Sequence, residues 1–180
     1  MPGQLIAVNS KADILPQYRQ TPVGDLIEYH NLNKTFSRYE KSQILIGMCI
    51  DNRKSLWIPE NFAFIIRAAG ANLIYSEFQI SFAISIANLK YMALIAHNRC
   101  GMVNLPSKKD QFVAGLVQNA GWKAENAENH FDQLSAFFEI GDEIKFLIEE
   151  TKRLQKRYPK IVIAPLYFNT DEEKLYQIAT

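Results

Sequence analysis

Two kinds of hydrophobic pattern alternate along this chain. Ile44-Leu45-Ile46, Phe62 to Ile66, Tyr91 to Ala96 and Lys160 to Ala164 are short, nearly continuous apolar runs. Runs without strict alternation predict strands covered on both faces, as in a parallel sheet. Between them lie stretches with a period near four. One helix is predicted over Val23 to about Asn31, starting at Pro22, with Thr21 as N-cap and proline at the first helical position. Ser76 to Leu89 predicts a second, with Phe78, Phe82 and Ile86 spaced by four. Ser107-Lys108-Lys109-Asp110 resembles a capping box. The helix it opens carries Phe112, Val113, Leu116 and Val117 and stops at Gly121. Asn126 to Arg157 is helical in pattern, with a predicted break at Gly141-Asp142 and a stop at Pro159. Leu166 to Ile178 predicts a closing strand or hairpin that turns at Thr170-Asp171-Glu172.

Strands alternating with helices predict an α/β fold: a mostly parallel central sheet of four strands plus a closing C-terminal strand, flanked by helices. The 180 residues suit one domain with a full core. Residues 1–21 have no clear period and carry Pro2 and Pro16, which predicts an N-terminal arm over the surface or onto a partner subunit. The single domain is then 22–180.

Composition narrows the function. A formal net charge of +1 gives no general nucleic-acid surface. The basic pairs Lys152-Arg153 and Lys156-Arg157 read as the wet face of a helix. No apolar run is long and charge-free enough to span a membrane, and Met1-Pro2-Gly3-Gln4-Leu5 lacks the form of a signal peptide. Two cysteines make no disulfide framework, so a cytoplasmic, reducing location is expected.

The candidate chemistry sits directly after two of the strands. Cys49-Ile50-Asp51-Asn52-Arg53 follows the first and His97-Asn98-Arg99-Cys100-Gly101 the third, and these stretches hold both cysteines of the chain. In open α/β sheets, sites lie at the carboxyl ends of strands. Side chains at i, i+2 and i+4 of extended chain share a direction, so Cys49, Asp51 and Arg53 could share a face. His97 and Cys100 have the spacing that meets on one helical turn, and a helix opening there would favour the thiolate. Two thiolates and one imidazole are zinc ligands that leave a fourth position open, as catalytic sites do. Asp51 or another carboxylate could close it. Arg53 beside Asp51 would keep that carboxylate ionised and fixed in direction. His30 and His130 have no ligand-spaced neighbours and read as surface or packing residues.

Cys49-x-Asp51-x-Arg53 followed by His97-x-x-Cys100-Gly101 resembles the motif of the β-class carbonic anhydrases. Arg67-Ala68-Ala69-Gly70 is similar to the family's Arg-Asn-Ala-Gly strand end, and Ile80-Ser81-Phe82-Ala83 to its serine-containing helix. The resemblance implies that Cys49, His97 and Cys100 ligate one Zn2+ per chain. It implies that Asp51 and Arg53 are a catalytic dyad orienting zinc-bound hydroxide, and that the reaction is reversible hydration of carbon dioxide to bicarbonate. Gly101, Ala68 and Gly70 would line the substrate pocket, and the unit would be a homodimer or homotetramer. Several positions depart from the family. Ala68 stands for asparagine, Ala71 stands where asparagine follows the glycine, and Ala96 replaces a glycine. Arg99 puts an extra positive charge beside the expected metal. Three alternatives stay open: a hydrolase of carbonyl sulfide or carbon disulfide on the same scaffold, a non-catalytic zinc protein in which Asp51 stays on the metal, and a metal-free α/β protein.

Overall fold

The computed structural model describes residues 3–179. Met1, Pro2 and Thr180, which end the two predicted segments, lie outside the described residues. The strands are β1 (Leu5–Ile6), β2 (Ile44–Met48), β3 (Ala63–Arg67), β4 (Tyr91–His97), β5 (Val162–Asn169) and β6 (Lys174–Ile178). The helices are α1 (Pro22–Leu32), α2 (Glu77–Ala87), α3 (Lys109–Ala120), α4 (Ala124–Phe138) and α5 (Glu143–Arg157). They build a six-stranded sheet in the order β1-β6-β5-β4-β2-β3. The inner pairs β3–β2, β2–β4 and β4–β5 are parallel, and β5–β6 and β6–β1 are antiparallel.

The continuous apolar runs are covered on both sides. Ile44, Ile46, Met48, Ala93, Ile95, Ala164, Leu166 and Phe168 point toward α1, whose Val23, Leu26, Ile27 and Tyr29 are buried against them. Leu45, Met92, Leu94, Ala96 and Ile163 point the other way, toward Ile80 and Ala83 of α2 and Leu147 and Leu154 of α5. Gly47 is the one β2 position without a side chain. A Cβ there would lie 2.5 Å from Leu73 Cδ1 and 2.9 Å from Leu94 Cδ2, so glycine lets this strand lie close under its cover.

The helix ends follow local chemistry. Thr21 caps α1 by accepting from the Gly24 N–H, and Pro22 fills the first turn, where its missing donor costs nothing. Asp142 Oδ1 accepts from the N–H groups of Ile144 (3.1 Å) and Lys145 (2.8 Å), separating α5 from α4 where Gly141-Asp142 predicted the break. Gly121 ends α3 in the left-handed region.

Three details differ from the sequence pattern. Ser107 does not cap α3. It lies in a 3-10 turn, Leu105–Lys108, opened by Pro106, and its hydroxyl donates to Asn104 O at 2.8 Å. The predicted fourth strand and the first arm of the hairpin are one strand, β5, because Pro165 sits within the ladder without breaking it. The N-terminal segment adds a sixth strand: β1 pairs with β6, and Val8, Ile14 and Tyr18 are buried in the α1-side core of the same chain.

Candidate metal centre

β2 and β4 are parallel neighbours with Met48 opposite Ile95, so their carboxyl ends emerge side by side. Cys49 is the first residue past β2, His97 is the last of β4, and Cys100 follows three residues later. The adjacency of two strand ends therefore brings together ligand types that lie about fifty residues apart. Cys49 Sγ, Cys100 Sγ and a ring nitrogen of His97 all lie within 4.8 Å of one another. All three residues are buried, packed with Ile140, Met102, Val103 and Phe146.

The donor set matches zinc in its distances and its free valences. The sulfurs are 3.9 Å apart. That is far beyond a disulfide of about 2.05 Å. It is close to the roughly 3.8 Å edge that two bonds of about 2.3 Å subtend at tetrahedral zinc. His97 Nδ1 is 2.9 Å from Asn98 O, which fixes the tautomer with the proton on Nδ1. The lone pair is then on Nε2, which is buried and has no hydrogen-bond partner among the described residues. A buried acceptor without a donor is costly in a finished core. The residues fit the ion.

Asp51 is held above this cluster. Its Oδ2 is 3.8 Å from His97 Nε2. The Arg53 backbone N–H donates to Oδ1 at 2.9 Å, and the guanidinium donates through Nε (3.0 and 3.1 Å) and Nη2 (2.6 Å). These bonds hold the Asp51 carboxyl well below the usual carboxylate range, so it is ionised throughout the working pH range. Arg53 Nη2 also donates to Arg99 O at 3.0 Å, tying the two loops together. The thiols act as a pair. Their shared contact lowers Cys49, with Cys100 as donor, and raises Cys100 in turn.

The remaining predicted residues fall at different distances from this centre. Gly70 has φ +64°, and a Cβ on it would lie 2.8 Å from Ile140 Cγ2 and 3.2 Å from Met102 Cβ, both packed beside the cysteines. Gly101 lines a groove with Met102, Leu105 and Phe112 and has open space above its Cα. Ala68 packs with the α2 and α5 side of the core, and its N–H donates to Met48 O at 2.9 Å. No helix opens at Cys100. The segment after it is turn, so no helix dipole acts on that sulfur. Arg99 turns outward to an ion pair with Asp171, leaving its charge away from the cluster. His30 Nδ1 accepts from Trp57 N, and His130 lies between Phe112 and Trp122.

Two residues gain importance only in three dimensions. Arg67 Nη1 donates to the carbonyls of Cys49 (3.1 Å) and Asp51 (3.3 Å), and Nη2 to that of Lys54 (3.2 Å), so one guanidinium shapes the whole 49–54 loop. Lys108 Nζ performs the same service for the second loop, reaching Gly101 O (2.5 Å) and Val103 O (2.8 Å). In the sequence Arg67 was marked by its place at the end of an apolar run and by the Arg67-Ala68-Ala69-Gly70 stretch that it opens.

No family model matches the sequence, and no curated protein matches it. Solved structures do. The chain is similar to β-carbonic anhydrase isoform I of Trichomonas vaginalis, with a TM-score of 0.62 and 22% identity over 80% of this chain and 87% of that one. It is similar to a carbonic anhydrase from Glaciozyma antarctica, with a TM-score of 0.60 and 21% identity over 92% and 100%. A carbonic anhydrase from Streptococcus mutans gives 0.57 and 18% over 96% and 100%. The chain has the β-carbonic anhydrase fold.

Proposed function

We propose that the protein is a zinc-dependent carbonic anhydrase that interconverts carbon dioxide and bicarbonate. The observation that carries this reading is the convergence of Cys49 Sγ, Cys100 Sγ and the unpartnered His97 Nε2, with an ionised Asp51 carboxylate 3.8 Å from that nitrogen. Cys49, His97 and Cys100 would hold one Zn2+ per chain. Zinc held this way lowers the pKa of a bound water to about 7. The protein supplies direction and surroundings. Asp51 offers a fixed acceptor for the nucleophile's proton, so that a lone pair aims at the substrate carbon. Arg53 keeps Asp51 in that pose and, by engaging both its oxygens, draws it away from the fourth position. Met102, Val103, Ile140 and Phe146 pack around the sulfurs and limit water on that side.

A second reading is hydrolysis of carbonyl sulfide or carbon disulfide. It gains from an apolar cavity of about 240 Å³ on the far side of Met102, lined by Leu105, Phe112, Phe131, Leu134 and Phe138. A linear apolar substrate would suit such a lining.

The proposed assembly is a homodimer through β3 and α2. The free edge of β3 carries exposed Phe64 and Ile65, and α2 beside it exposes Phe78, Phe82 and Ile86. Contiguous apolar surface next to an open sheet edge favours a second copy. No helix among the described residues is long and apolar enough to cross a membrane. The proposed location is the cytoplasm, where thiolate ligands stay reduced.

Stopped-flow hydration of carbon dioxide near pH 7 and near pH 8.5, on protein of known zinc content, tests the activity. Turnover at both pH values is expected, because Arg53 holds Asp51 off the metal. Turnover confined to the higher pH would place Asp51 on the metal at neutral pH. No turnover of carbon dioxide, with turnover of carbonyl sulfide, would transfer the assignment to the second reading.

A further inference from the structure

Asp51 and Arg53 lie two residues apart, so the bonds between them fix the Asp51 carboxylate relative to its own loop. They do not fix that loop relative to the sheet. Residues 49–58 belong to no strand or helix, yet Cys49 and Lys54 are buried, at 4% and 1% exposure. Carbonyls of buried residues need partners, and these lie past the end of the ladder. Arg67 supplies them. It is the last residue of β3 and stands opposite Met48, the last of β2. From there Nη1 donates to the carbonyls of Cys49 (3.1 Å) and Asp51 (3.3 Å), and Nη2 to that of Lys54 (3.2 Å). Arg67 makes no ion pair among the described residues, so its charge acts on these three dipoles. Hydrogen bonds from a charged donor are about twice as strong as neutral ones. Arg53 Nη2 also reaches Arg99 O at 3.0 Å, which joins the loop to a neighbouring loop rather than to a strand.

We propose that Arg67 is the positioning residue for Asp51. Arg53 sets the carboxylate within the loop, and Arg67 sets the loop against the sheet that carries His97. The inference rests on the zinc reading above and adds to it a residue outside the metal ligands and the Asp51–Arg53 pair. Asp51 Oδ2 stands 3.8 Å from His97 Nε2 because two separately built pieces meet. His97 is fixed as the last residue of β4, whereas Asp51 hangs from the loop. The three carbonyls span the loop from Cys49 to Lys54, so it cannot pivot about a single bond. A planar guanidinium serves such a spread of acceptors from two nitrogens, and a lysine has only one. Cys49 has a second support. It follows Met48 directly, and the Met48 carbonyl accepts from the Ala68 N–H at 2.9 Å. Loss of the guanidinium therefore spares the metal ligand and displaces Asp51.

The test is a double-mutant cycle of Arg67→Ala and Asp51→Ala. The readouts are zinc content, kcat and KM for carbon dioxide, and amide hydrogen exchange of the metal-free proteins. Arg67→Ala is expected to keep its zinc and to lower kcat by about a hundredfold, the scale of a misplacement of about 1 Å. In the Asp51→Ala background the same change should cost no more than about a factor of two, because no carboxylate is left to misplace. In metal-free Arg67→Ala, residues 50–55 should exchange about tenfold faster, the scale of one lost hydrogen bond from a charged donor, while β4 keeps its wild-type rates. Arg67→Lys repeats the cycle should the alanine variant fold poorly. An equal loss in both backgrounds would overturn the proposal, since it would mark a role that does not pass through Asp51. Loss of zinc, undiminished turnover or unchanged exchange in Arg67→Ala would overturn it too. Equal turnover of wild type and Asp51→Ala at full zinc would instead remove Asp51 from the zinc reading, and this inference with it.

Discussion

The metal corner and the outer face of α2 invert the usual distribution of residues in opposite senses. At the corner, groups that normally seek water are buried. His97 and Lys54 are each 1% exposed, and each carries a nitrogen without a partner among the described residues. On α2, groups that normally avoid water face it, with Phe78 79% and Ile86 72% exposed. A buried polar atom without a partner and a large exposed apolar patch are both informative departures, whereas a buried leucine or an exposed lysine is not. The two departures call for different completions. Convergent lone pairs at spacings of a few ångströms suit a small cation. A stripe of rings beside an open strand edge suits another protein surface.

The largest effect is expected at the corner. Asp51→Ala should keep zinc and lose roughly a hundred- to ten-thousandfold in carbon dioxide turnover, the range for a positioned proton acceptor. Undiminished turnover at full zinc would take Asp51 out of the mechanism. Gly70→Ala comes next, because Gly70 supports the cluster from behind. Its φ of +64° and the 2.8 Å approach to Ile140 together predict a loss of about 3 kcal/mol in chemical denaturation. Phe82→Asp should leave the fold and the metal intact and shift the mass in light scattering from dimer to monomer. An unchanged mass would show that this face is not the contact. Arg99→Ala should do least. Its guanidinium is paired with Asp171 at the surface, and such pairs contribute about 0–1 kcal/mol. Turnover within about a factor of two of wild type is expected. A large change would restore Arg99 to the place beside the metal that the sequence alone assigned it.

The inner strands were legible because their cover on both faces writes itself as unbroken apolar runs, as in Leu94-Ile95-Ala96 of β4. Helix limits were legible where single residues set them, as at Thr21-Pro22 and Gly141-Asp142. The same pattern was silent on which side of α2 faces the sheet. Ile80 and Ala83 on one side and Phe78 and Phe82 on the other are all apolar, so a period of four marks a helix without orienting it. β1 was missed because two residues, Leu5–Ile6, are too few to show any period. The candidate ligands stood out because both cysteines follow core strands. Lys54 did not, since a lysine in a polar loop reads as solvated. The loop that carries it is held through the Lys54 carbonyl by Arg67, thirteen residues away at the end of β3.

The most direct measurement of the central claim is zinc per chain, by metal analysis and native mass spectrometry, for wild type and for Cys49→Ala, His97→Ala and Cys100→Ala. One zinc per chain is expected in wild type and close to none in each variant, with all four proteins folded. A folded variant that retained a full equivalent of zinc would contradict it.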